Sequence, residues 1–95
     1  MDTLEKTRKE ITNIDRKMAK LFVKRMKLVK HLAKYKKSQN LKVYAPEREA
    51  EIFKTYKNWI KDENLQEYYL EFLNQIISIS HDFQNNFLNE RDANY

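Results

Sequence analysis

Seven polar residues have types and spacings that could do chemistry together: Arg8, Arg25, Lys36, Arg48, Glu49, Ser80 and Gln84. On a helical wheel of about 100° per residue with Leu4 at zero, Arg25 falls at about −60° and Lys36 at about −40°. Both lie inside the apolar stripe traced by Leu4, Ile11, Met18, Phe22 and Leu32. Arg8, at about +40°, borders it. With Ile76 at zero, Ser80 falls at about +40° and Gln84 at about +80°, among Tyr69, Leu73, Ile77 and Phe87. A cation buried without a partner is costly, and a buried amide needs hydrogen bonds. The set therefore reads as a pocket inside a helical bundle, built for a small anion with several oxygens. Arginines suit carboxylates or phosphates, which guanidinium grips bidentately.

Plainer readings stand beside this one. The long stems of Arg25 and Lys36 can snorkel to water, or Asp15 or a glutamate can pair with them. Ser80 can satisfy its hydroxyl on its own helix. Arg48 and Glu49 follow Pro46 at a helix start whose N-cap position is Ala45, a residue with no side-chain oxygen for that task.

Other chemistries are disfavoured by composition. The chain has no glycine, which excludes Gly-rich phosphate loops and nucleotide fingerprints. It has no cysteine, hence no disulfide and no thiolate metal site. His31 and His81 are far apart, with no H-E-x-x-H pattern or carboxylate cluster, so no metal is expected. His81 adjoins Ser80, but helical neighbours point about 100° apart, so both histidines read as ordinary, partly exposed residues. What remains is suited to positioning and electrostatic stabilisation.

The elements that must position these residues are helices. One proline and few turn signals among many Lys, Glu, Leu and Gln residues indicate an all-α fold. A first helix is expected from about Leu4 to about Lys37, followed by a polar loop at Ser38, Gln39 and Asn40. A second should run from Pro46 to about Lys61, with Asp62, Glu63 and Asn64 as the break. A third is expected from about Gln66 to about Leu88. Residues 1–95 read as a single domain, with 89–95 as a frayed tail. Helices two and three are too short to cover the stripe of the first, which at about 1.5 Å per residue is roughly 50 Å long. A homodimer with packed long helices is therefore expected.

Residues 1–48 hold 15 Lys/Arg against 5 Asp/Glu, a net of +10, whereas residues 49–95 hold 4 against 9, a net of −5. A basic half suggests an anionic partner or simply a solvated face. A nucleic-acid-binding module is the rival from a different class, and the inward placement of Arg25, Lys36, Ser80 and Gln84 argues against it. No membrane-spanning run or signal peptide is evident, so a cytoplasmic protein is expected.

The ordered set "TRKEITNIDRKMAKLFVKRMKLVKHLAKYK", "YAPERE" and "IISISHDFQ" resembles the all-helical class of chorismate mutase, from about Leu4 to Gln84. The resemblance implies an intertwined homodimer of three-helix chains that converts chorismate to prephenate without cofactor or metal. Carried over by position, it implies that Arg25 grips one substrate carboxylate and that Arg8 reaches another across the dimer. Lys36 and Gln84 would meet the ether oxygen, Ser80 would assist at a carboxylate, and Arg48 would help order the site. Glu49 would accept from the ring hydroxyl, and Leu32 and Ile77 would form apolar walls. The chain departs from the family's Asp-Pro-x-Arg-Glu at Ala45, where the usual aspartate can cap the helix and contribute near the hydroxyl. Isochorismate pyruvate-lyase, on the same fold, is the rival with the closest chemistry.

Overall fold

A computed structural model describes residues 2–93 of the chain. Three helices follow one another: α1 (Thr3–Ser38), α2 (Pro46–Lys57) and α3 (Glu63–Ala93), with no strand among the described residues. This is the expected all-α architecture with a very long first helix. Helix α3 continues through part of the stretch expected to fray, and residues 94 and 95 lie outside the described residues.

Local chemistry accounts for the helix ends. Asp2 caps α1, its side chain accepting from the Glu5 N–H at 2.7 Å, as an N-cap carboxylate should. Lys36 and Lys37 occupy the last turn, where cations suit the helix dipole. Asn40 then takes a left-handed φ of 56°, a conformation asparagine tolerates better than most residues. Helix α2 ends at Lys57, earlier than the apolar pattern suggests. Trp59 leaves the helix but stacks on Tyr56 at 4.0 Å, and the Gln66 side chain donates to the Ile60 carbonyl at 2.9 Å. Asp62, expected to break the chain, instead starts α3 by accepting from the Asn64 N–H at 2.9 Å. Glu63 and Asn64 are consequently helical.

The second half of α1 packs on α3, and α3 packs on α2. Arg25 meets Ser80, and Lys36 meets Gln84, so α1 and α3 advance in the same direction, while α2 packs on α3 and not on α1. The apolar core is small: Val29, Ala33, Leu73 and Ile77. Ala33 is fully enclosed; its short side chain lets α3 approach α1 there. Toward the N-terminus of α1 the two helices leave a groove of roughly 740 Å³, lined among others by Met18, Phe22, Met26, Phe72, Ile76 and Ile79. Leu4, Ile11, Ile14, Met18, Leu21 and Phe22 all remain exposed in the single chain, although the spacing that places several of them on one face is that of a buried stripe.

Candidate active site

The polar residues that interrupt the apolar stripes meet between α1 and α3. Ser80 and Gln84 are only 6% and 3% exposed, one helical turn apart on α3. Ser80 donates back to the Ile76 carbonyl at 2.9 Å, and its hydroxyl accepts from Arg25 Nη1. The Gln84 amide nitrogen donates to the Ser80 carbonyl at 3.2 Å. Its oxygen faces Lys36 Nζ at 3.5 Å. Lys36 also donates to the Val43 carbonyl at 2.9 Å. These bonds leave one ammonium hydrogen and one amide hydrogen without a protein acceptor. Burial pushes the Lys36 amine below its usual value, and the negative charge of Glu49 opposes that shift.

Glu49 closes the other flank. Ala45 offers no side-chain cap to α2, and the Glu49 carboxylate reaches back to accept from the Ala45 N–H at 3.4 Å, tying the first turn of the helix to its cap residue. The same oxygen, Oε2, lies 2.9 Å from His81 Nε2. The His81 ring stands edge-on to Tyr44, 5.5 Å between centroids. Three consecutive residues thus touch the cluster: Val43 through its carbonyl, Tyr44 through its ring and Ala45 through its amide.

Not every residue singled out from the sequence joins this cluster. Arg48 is exposed and pairs with Glu51 at 3.3 Å, its side chain 61% accessible. Arg8 is exposed on α1, about 25 Å along the helix from Arg25 at 1.5 Å per residue. Ile77 is buried beside the cluster, whereas Leu32 is exposed. His81, read from the sequence as unremarkable, is a member. Its wheel angle of about 140° places it only about 40° from Ile77, a signal that it borders the inner face. Among the described residues no group of His, Asp or Glu is placed to hold a metal, and no helix is long and apolar enough to cross a membrane.

Fold and site together define a small all-helical domain with a hydrogen-bonded, cationic cluster between its helices. The chain belongs to the chorismate mutase type II family, whose model matches residues 7–85. It is 33% identical over 87 residues to a bifunctional chorismate mutase/prephenate dehydratase of Aquifex aeolicus, covering 83% of this chain and 24% of that protein. It is 45% identical over 49 residues to the T-protein of Haemophilus influenzae, covering 52% of this chain and 13% of that one. The chain thus spans a quarter or less of these curated relatives. No solved structure gives a significant match.

Proposed function

We propose that this domain is a chorismate mutase, rearranging chorismate to prephenate within a homodimer. The Lys36–Gln84 pair carries the reading: two donors with hydrogens to spare, at the buried end of a cationic cluster, in a chain of this family.

Chorismate presents two carboxylates, an ether oxygen and a ring hydroxyl. Arg25 spends one N–H on Ser80 and has others for a carboxylate, since guanidinium carries five. Ser80 thereby sets the orientation of the guanidinium. Holding both carboxylates selects the folded conformer in which the two carbons to be joined are close, which removes much of the entropic barrier. In the rearrangement the ether C–O bond breaks as the new C–C bond forms, and both electron pairs stay within the molecule. Negative charge grows on the ether oxygen because cleavage runs ahead of bond formation. Lys36 and Gln84 donate to that oxygen from two sides, and fixed donors in a part-buried site favour the transition state over the ground state. Glu49 accepts from the ring hydroxyl, with Ile77 and Leu32 as apolar walls. Arg48 helps order the helix start through its pairing with Glu51. The reaction needs no cofactor.

A second copy of the chain covers the exposed face of α1 and the groove beside it, and Arg8 of the partner subunit supplies the cation for the second carboxylate. The support is the uncovered stripe itself, from Leu4 to Phe22, which is too extensive to be left in water without cost.

The decisive experiment gives the purified protein chorismate, follows its loss by absorbance and identifies the product. Prephenate supports the reading. Salicylate formed from isochorismate would replace it with elimination of pyruvate, and inertness toward both compounds would overturn it.

A further inference from the structure

The His81–Glu49 contact links α2 to α3 at the edge of the site, and the roles assigned above make no use of it. A carboxylate can only accept hydrogen bonds, so His81 Nε2 must carry a proton directed at Glu49 Oε2. That oxygen is engaged twice, by His81 at 2.9 Å and by the Ala45 N–H at 3.4 Å. Among the described residues Glu49 Oε1 has no hydrogen-bond partner. No enclosed side-chain oxygen or nitrogen among the described residues lacks one, so Oε1 must face open space. The side chains of Glu49 and His81 are 17% and 24% accessible, enclosed enough for their orientation to be fixed yet open on one side. Tyr44 props the imidazole edge-on, and the positive charge of Lys36 acts on the same carboxylate.

We propose that His81 is a specificity-determining positioning residue. It locks one oxygen of Glu49 so that the other is presented to the hydroxyl of the bound substrate. The proposal rests on the chorismate mutase reading above. The histidine acts in concert with the Ala45 amide: the cap position offers only a backbone donor, and one donor at 3.4 Å leaves a carboxylate free to swing about its long side chain. A second donor from another helix removes that freedom before substrate arrives, so no ordering cost falls on binding. Discrimination then follows from chemistry. A carboxylate oxygen held in place and part-desolvated favours a ligand that donates to it, and is left unsatisfied by one that does not.

The test compares kcat/KM for chorismate with that for the same diacid lacking the ring hydroxyl, in wild type, His81→Ala and His81→Gln. Replacing His81 by alanine should shrink the preference for the hydroxyl-bearing compound by about tenfold, the size expected for loss of a charge-assisted hydrogen bond. Glutamine, whose amide nitrogen can occupy the Nε2 position, should restore most of the preference. Should His81→Ala unfold by circular dichroism, His81→Phe keeps a ring against Tyr44 without the donor and carries the same comparison. Equal losses on both compounds, or none on either, would overturn the proposal and leave the mutase reading intact. Wild-type protein inert toward both compounds would overturn the two together.

Discussion

Lys36 on α1 and Gln84 on α3 face each other across the helix interface, ammonium to amide oxygen at 3.5 Å. They are 48 residues apart in the chain and share no local motif. The pair is completed by backbone: Val43 accepts from Lys36 at 2.9 Å and Ser80 accepts from Gln84 at 3.2 Å. Each side chain is therefore aimed before any ligand arrives, the arrangement that lets a donor stabilise charge without reorganising.

Removing one such donor costs about 3 kcal/mol in comparable electrostatic sites, roughly a hundredfold in rate. Lys36→Ala should lower turnover of chorismate by this order while the far-ultraviolet circular dichroism of the three helices is retained. Turnover close to wild type would remove Lys36 from the chemistry.

The pH dependence follows from the direction of the Lys36 shift. Burial lowers its pKa from the ordinary 10.5, with Glu49 opposing, and the protonated amine is the far stronger, charge-assisted donor to an oxygen that gains negative charge. The rate constant kcat/KM, which reports the free enzyme, should therefore fall on the alkaline side before the ordinary lysine range is reached. Stability should move the other way. The unfolded chain binds more protons than the folded one between the lowered pKa and 10.5, so this group's contribution rises with pH across that window. Parallel rate and thermal-melting profiles check both signs; an alkaline limb coinciding with that of a free lysine would contradict the first.

Gln84→Glu is a sharper probe of the amide. A carboxylate at this buried position would repel the charge developing on the ether oxygen, whereas its protonated form can donate as the amide does. Activity should be displaced to acid pH, and a profile matching wild type would separate Gln84 from the ether oxygen.

Arg8→Ala and Lys36→Ala should each be nearly inactive alone. Mixed and allowed to exchange, they should regain activity, because in the proposed homodimer one site of each heterodimer would combine an intact Lys36 with an intact Arg8 of the partner subunit. Statistical exchange would return about a quarter of the wild-type sites. Recovery indistinguishable from the sum of the two separate proteins would exclude a shared site, and light scattering on the same samples reports the dimer directly.

Much of the fold was legible from the sequence because helical periodicity is a local property. The long α1 and the inward positions of Ser80 and Gln84 follow from a repeat of about 3.6 residues, and the start of α2 follows from the preference of proline for the first helical position. The boundaries that shifted lie where tertiary contacts took over. The stripe on α2 continues through Trp59 and Ile60, so the pattern alone extends the helix. In the structure, stacking on Tyr56 and the Gln66 bond to the Ile60 carbonyl hold this segment as a turn. Asp62 was legible as a boundary but not as a cap, since the same residue type serves both roles.

His81 marks what was missed. The angle of about 100° between helical neighbours rules out a Ser80–His81 couple, and the structure pairs His81 with Glu49 instead. That rotation aims the imidazole away from Ser80 and toward α2, whose place beside α3 no local pattern encodes. Sequence by itself determined the helical faces on which Lys36, Ser80 and Gln84 lie, because each helix sets its faces from its own repeat. Tertiary structure alone decided which side chains meet: Arg25 with Ser80, Lys36 with Gln84, and Glu49 with His81. Register between helices depends on how connecting turns close and how small residues such as Ala33 let the backbones approach. Those are properties of the assembled chain.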